Sequence, residues 1–158
     1  MAETITAQIA QEHFGIATNH ECMENGELRF RLIGGDGNGY ALTVASKSGA
    51  WQNSHSHSSF QEMYIVESKW MALATANPLG GGPCIQILTE KQSVITPLGQ
   101  IHNVYLPSKA VIHTVRFGNR NPNPRWEGCP SFDEETKGLS ESQILALASI
   151  SQDPSTYR

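Results

Sequence analysis

Apolar and polar residues change their period twice along this chain. Over residues 4–14, Ile5 and Ile9 sit four apart, which predicts a short amphipathic helix. From about residue 20 the period is two. Leu28, Phe30 and Leu32 alternate with Arg29 and Arg31, the pattern of a half-buried strand. Asn25-Gly26 just ahead predicts a two-residue hairpin turn, because both residues tolerate positive φ. The Gly34-Gly35-Asp36-Gly37-Asn38-Gly39 run lacks the Lys-Ser/Thr ending of a phosphate loop and lies between strand patterns, so it predicts a hairpin loop. Strand patterns recur at 40–45, 62–66, 70–75, 84–88, 93–96 and 110–117, with a Pro/Gly-rich turn over 77–83. Seven or more short strands cut by Gly, Pro and Asn turns predict an all-β sandwich or barrel. Residues 119–130 should be irregular. A second helix is predicted from Ser140, where Ser140 and Gln143 suit a capping box and Leu139 with Ile144 a hydrophobic staple. Its apolar stripe, Ile144, Leu147 and Ala148, runs to about Ile150 and should pack on the β body or on a second subunit. Residues from 153 onward are expected to fray.

At 158 residues the chain fits one domain that can fold without staples. Only 16% of residues are charged, against 14 Gly and 8 Pro, which favours a turn-rich β protein over a helical bundle. The net charge of −4 and the scattered Lys and Arg argue against a nucleic-acid groove. No apolar run approaches the roughly 20 residues that span a bilayer. The start, Met1-Ala2-Glu3-Thr4, has no basic region or apolar core of a secretory signal. Cys22, Cys84 and Cys129 are odd in number and widely spaced, the pattern of reduced side chains in a cytoplasmic protein.

Candidate chemistry is concentrated in one stretch. His55 and His57 are two apart, so an extended backbone points both imidazoles the same way. Glu62 follows five residues later, and His102 arrives after the turn at Pro97-Leu98-Gly99. Three imidazoles and one carboxylate suit a divalent transition metal, Fe(II), Mn, Ni, Cu or Zn. A divalent ion there leaves a site of about +1, which favours an anionic substrate or an O2-derived species. Tyr64 has the parity of Glu62 and is a candidate acid or substrate contact, its alternative being a core aromatic. His113 shares a face with Val111 and Val115 and is a candidate base or supporting residue, its alternative being a satisfied core histidine. Trp51, Phe60, Trp70 and Tyr105 lie near these residues and suit either an apolar pocket or the core. His13 and His20 are expected to carry no function.

These residues resemble the two motifs of the cupins. Gly49, His55, His57 and Glu62 match the first motif, whose closing Gly is replaced by Lys69. Pro97, Gly99 and His102 match the second, whose opening Gly is Lys91 and whose closing Asn is Leu106. The resemblance covers about 40–118. It implies a double-stranded β-helix (jelly-roll) barrel with one metal in its mouth, with residues 1–39 and 119–158 as additions. It also implies a small-molecule substrate and a homodimer. Three activities are compatible with it: an Fe(II) oxygenase, a redox-neutral isomerase, epimerase, lyase or decarboxylase, and a non-catalytic binding module. The aromatic, charge-poor surroundings of the ligands in sequence favour the oxygenase, with Fe(II) as the metal.

Overall fold

The structure is a computed structural model that describes residues 2–119, 121 and 126–151. In chain order its elements are α1 (Ala7–Phe14), β1 (Ile16–Cys22), β2 (Leu28–Gly34), β3 (Gly39–Val44), β4 (Ala50–Trp51), β5 (His55–His57) and β6 (Gln61–Ser68). There follow β7 (Trp70–Thr75), β8 (Cys84–Thr89), β9 (Ser93–Thr96), β10 (His102–Leu106), β11 (Val111–Phe117), β12 (Trp126–Gly128), α2 (Pro130–Thr136) and α3 (Glu141–Ser151). They form two antiparallel sheets, β1-β2-β3-β11-β6-β9 and β12-β5-β10-β7-β8, with β4 also paired to β10. This is the jelly-roll arrangement expected from the strand pattern. No described helix is long and apolar enough to cross a membrane.

The chain passes repeatedly from one sheet to the other, and a left-handed residue marks five of those corners. Gly49, Lys69, Lys91, Gly99 and Lys109 have φ of 71°, 68°, 70°, 74° and 61°. Lys69 and Lys91 stand where the cupin motifs place glycine, so the two sequence departures keep the glycine-like backbone. A non-Gly residue costs about 1–2 kcal/mol in this region. The expected effect of Lys91→Gly is therefore small, within about 1 kcal/mol in either direction, because relief of strain is offset by glycine's greater chain entropy. Thermal melting measures it; a loss above about 2 kcal/mol would show that the lysine side chain itself holds the corner.

The core lies between the sheets, around Tyr64, Val66, Met71, Leu73, Leu88, Val104, Leu106 and Ile112. A second layer, Trp51, Ala72, Ala74, Ile85, Tyr105, Phe132, Ile144 and Ala148, fills the space between the second sheet and helices α2 and α3. β7 is consequently buried on both faces and reads as a continuous apolar run rather than an alternating one. The helix at Ser140 forms as its sequence predicts. Ser140 N donates to Gln143 Oε1 at 2.9 Å and Gln143 N donates to Ser140 Oγ at 3.4 Å, while Leu139 and Ile144 share the second layer.

Some expectations need correction. β1, β10, β12 and α2 were not marked by any period in the sequence, being polar, very short or folded into irregular-looking stretches. The Asn25-Gly26 turn is not a two-residue turn. Met23 pairs with Glu27, only Gly26 of the two has positive φ, and Asn25 Oδ1 accepts from Glu27 N at 3.1 Å. The side chain of Asn25 thus makes the local hydrogen bond that a tighter turn would have left to the backbone. Strand β2 is also inverted relative to a simple amphipathic reading. Leu28, Phe30 and Leu32 face outward at 42%, 41% and 47% exposure, and Arg29 and Arg31 face the barrel. The expected fraying from residue 153, and residues 120 and 122–125 of the irregular stretch, lie outside the described residues.

Candidate metal centre

Strand β5 is extended, so His55 and His57 share a face, and both are buried. β10 pairs beside it with His102 opposite His55. Glu62 enters from β6 in the other sheet, so the four side chains close the gap between the two sheets at one end of the barrel. Their donor atoms all lie within 4.8 Å of one another. The Nε2 atoms of His57, His55 and His102 are 3.0, 3.8 and 3.8 Å from Glu62 Oε2. Metal–ligand bonds of about 2.1 Å put neighbouring donors about 3 Å apart and opposite ones about 4.2 Å apart, so the cluster is sized for one ion.

The second ring nitrogens set the tautomers. His55 Nδ1 contacts Asn53 O at 2.7 Å and His102 Nδ1 contacts Gln100 O at 2.9 Å. A carbonyl can only accept, so each Nδ1 carries the proton and each Nε2 offers a lone pair to the centre. His57 Nδ1 is buried with no partner among the described residues, and its ring lies against Phe60 at a centroid distance of 4.1 Å. Burial lowers the pKa of His57, and only partly does the Glu62 hydrogen bond oppose it; the neutral, metal-binding form is favoured. Burial alone would raise the Glu62 carboxyl, but the His102, His55 and His57 imidazoles gathered around it outweigh that and hold the group well below the usual carboxylate range. Neutral imidazoles and an ionised carboxylate are the donor set that a divalent transition metal requires.

Two neighbours complete the site. Tyr64 Oη donates to Glu62 Oε2 at 2.7 Å and lies 3.3 Å from His102 Nε2. Burial, followed by the Glu62 charge, pushes its phenol well above the ordinary value, so it stays a donor. Arg116 grips the other carboxylate oxygen, with Nη2 and Nε at 3.0 and 3.3 Å from Glu62 Oε1, and its guanidinium lies 4.4 Å over the Phe60 ring. Glu62 is thereby fixed with Oε2 toward the imidazoles. Arg116 stands opposite Glu62 across β11 and β6, a register the sequence does not display. Trp126, in the irregular stretch, stacks on His55 at 5.3 Å, and no periodic signal marked it. His113 does not join the cluster. It lies on the opposite face of β11, with Nδ1 2.7 Å from Tyr40 Oη and Nε2 2.7 Å from Glu67 Oε2. Strand parity is the reason: Ile112, Thr114 and Arg116 take the inner face alongside Val66, Tyr64 and Glu62.

Helix α2 braces the strand that carries both histidines. Asp133 Oδ1 accepts from Ser54 N at 2.8 Å, Ser54 Oγ donates to Cys129 O at 2.5 Å, and Lys137 Nζ donates to Asn53 Oδ1 at 2.7 Å. Gly99 N donates to His57 O at 2.7 Å from the other side. Burial raises the Asp133 carboxyl, yet bonds from Ser54 and the Lys137 ammonium outweigh it and lower its pKa below 3.8. A carboxylate lowered in the folded state stabilises above its unfolded value and loses that contribution as pH falls through the folded one. The brace is therefore intact at neutral pH and released only in acid, below the ordinary range of a carboxylate. Asp133→Asn removes the charge at every pH and is expected to weaken metal affinity roughly 10-fold, the lower end of what supporting residues contribute. Competition with a chromogenic chelator at pH 7 measures this; an unchanged affinity would show that α2 is not needed to place β5.

No protein-family model matches the chain, and no curated protein matches it. Solved structures do. KdgF from Halomonas sp. is 13% identical with a TM-score of 0.52, over 65% of this chain and 88% of that one. The capsular polysaccharide assembling protein CapF from Staphylococcus aureus is 16% identical with a TM-score of 0.54, over 70% of this chain and 32% of its own length. Oxalate decarboxylase from Bacillus subtilis is 14% identical with a TM-score of 0.53, over 79% and 28%. The chain thus spans about a third of the latter two. All three are cupin-fold proteins. The motif resemblance in the sequence and the barrel in the structure meet in one conclusion: this chain has the cupin fold.

Proposed function

We propose that the protein is a mononuclear, divalent-metal-dependent enzyme that carries out a redox-neutral reaction at a carbonyl or carboxylate of a small organic molecule. The observation that carries this reading is the convergence of three Nε2 atoms on Glu62 Oε2 with the Tyr64 hydroxyl on the same oxygen. A bound divalent ion supplies Lewis acidity to a substrate oxygen there. His55, His57, His102 and Glu62 hold it, and Arg116 keeps Glu62 oriented. Tyr64 offers its proton to an oxygen placed beside Glu62 and His102. Phe60 and Trp126 shield the histidines from bulk water.

The sequence favoured an Fe(II) oxygenase because the ligands' neighbours in the chain are poor in charge. Against that ground stand Arg29, Arg31 and Arg116, which come from distant strands to line one cavity, with Arg116 bonded to Glu62. A neighbour whose name is oxalate decarboxylase adds support for carboxylate chemistry on this fold. The test is metal analysis of the purified protein, with a substrate screen followed for O2 uptake. Turnover without O2 consumption is expected; uptake stoichiometric with product would leave the oxygenase, and a protein holding no metal would remove both. Tyr64→Phe is expected to retain the metal and lower kcat about 10²–10⁴-fold, the range for a positioned proton donor. Equal kcat in the two proteins would make Tyr64 a core aromatic.

A further inference from the structure

None of the three arginines that face the barrel mouth can be a metal ligand, only Arg116 touches one of the cluster residues, and the placement of Arg29 and Arg31 runs against burial. On β2 the large apolar side chains Leu28, Phe30 and Leu32 are left exposed, while Arg29 and Arg31 occupy the inner positions with side chains only 21% and 20% exposed. Hydrophobic burial by itself would choose the opposite facing, since a strand's two faces exchange with a one-residue shift of register. On the inward face each of these two arginines has an acidic partner. Arg29 Nη2 and Nε reach the fully buried Glu27 at 2.8 and 3.2 Å, and Arg31 pairs with Glu21. Gln52 Nε2 also donates to Glu27 Oε2 at 3.2 Å.

Strand β3, between β2 and β11, turns only Gly39, Ala41 and Thr43 toward the same face, opposite Ile33, Arg31 and Arg29. These small residues leave space between Arg29 and Arg31 on one side and Arg116 on the other. A cavity of about 790 Å³ touches all three arginines, together with Trp51, Gln52 and Trp126. A second, of about 220 Å³, touches Arg31, Arg116 and Glu62. Arg31 and Arg116 are thus continuous with the candidate metal centre through Glu62, and Arg29 shares the larger cavity with them.

Each guanidinium has five N–H donors. The acidic partners engage one edge of each fork and hold it in place, leaving further donors for a ligand. Glu62 directs its second oxygen to the imidazoles, so a divalent ion would leave the mouth with an excess of positive charge. We infer that Arg29, Arg31 and Arg116 form an oxyanion-recognition row, and that the substrate is an organic anion. Its carboxylate or phosphate is held by the arginine forks while its reacting oxygen lies at the metal centre. This rests on the metal-enzyme reading above and names its substrate class. Planar forks match both oxyanions in two-point contacts that lysine cannot make.

Isothermal titration of the metal-loaded and the metal-free protein with succinate, phenyl phosphate and neutral succinamide tests it. At least one anion is expected to bind, with succinamide at least 100-fold weaker; the tighter anion identifies the group. Arg31→Gln should weaken that anion at least 10-fold with unchanged metal content, and Arg31→Lys should recover only part of the loss. Lys91→Gln, at the far end of the barrel, should change nothing. The inference is overturned if neither anion binds, if succinamide binds equally well, or if both Arg31 variants bind like the parent protein. Anion binding that depends on Arg31 in a protein unable to hold metal would sink the metal reading alone. Metal binding without anion binding would sink only the arginine row.

Discussion

Glu62→Ala is expected to reduce metal affinity by about two to three orders of magnitude and to abolish turnover. Binding of about 10–16 kcal/mol for a four-ligand structural zinc site, shared among its ligands, assigns each roughly 2.5–4 kcal/mol. Glu62 contributes more than a donor atom. It is the only anion in the cluster, it accepts the Tyr64 hydroxyl, and it takes two bonds from Arg116. Its loss leaves a cationic guanidinium facing three imidazoles, which further disfavours a cation. His102→Ala should cause a comparable loss by removing a single neutral donor. His113→Ala should leave metal content unchanged, because His113 lies on the other face of its strand. Metal content after dialysis, read by atomic emission, separates these outcomes, with circular dichroism to verify the fold. Full metal occupancy in both the Glu62 and the His102 variants would refute the ligand assignment.

The second large effect is structural. Gly49→Ala is expected to cost about 3 kcal/mol. Gly49 has φ of 71°, where an L side chain adds about 1–2 kcal/mol. An added Cβ would also lie 2.8 Å from Tyr105 Oη, 3.0 Å from Leu106 O and 3.1 Å from Ser108 N. Two of those atoms belong to the backbone and cannot swing aside, so overpacking adds about 1–3 kcal/mol. For a chain of this length such a loss lowers Tm by roughly 6–12 °C. A Tm within about 2 °C of the parent protein would mean that the corner before β4 relaxes freely. Lys91 is the useful contrast. Its φ is also positive, and the chain already carries the cost of a side chain there.

The same corners show how much a sequence discloses. The sequence marked a turn at Gly99 and matched Gly49 to the first motif, and both glycines proved left-handed. Lys69 and Lys91 looked like departures from the motif, since a lysine carries no local mark of positive φ. Only the closing of two sheets at a corner imposes that conformation on them. The clustered His55 and His57 were legible for a local reason: two residues apart on an extended strand share a face. Glu62 and Tyr64 followed from the same parity along β6. Parity also governs His113, but which parity faces inward on β11 is decided by its pairing with β6, which places Thr114 opposite Tyr64 and Arg116 opposite Glu62. Arg116 was missed for that reason, and so was Trp126, which sits in a stretch without any period.

The amino-acid sequence by itself determined the strands with a clear two-residue period, the capped C-terminal helix, and the donor set that can hold a divalent ion. These follow from interactions between residues close in the chain, where spacing alone sets geometry. The tertiary structure decided which face of each strand turns inward, and with it the chemistry of the mouth. Arg29 and Arg31 alternate with apolar residues in a way that either facing would satisfy locally. Their inward choice is set by contacts with Glu27, with Glu21 on the adjacent strand and with the cavity they share with Arg116. Leu28, Phe30 and Leu32 are left on the exposed face, an outcome that their two-residue period does not reveal.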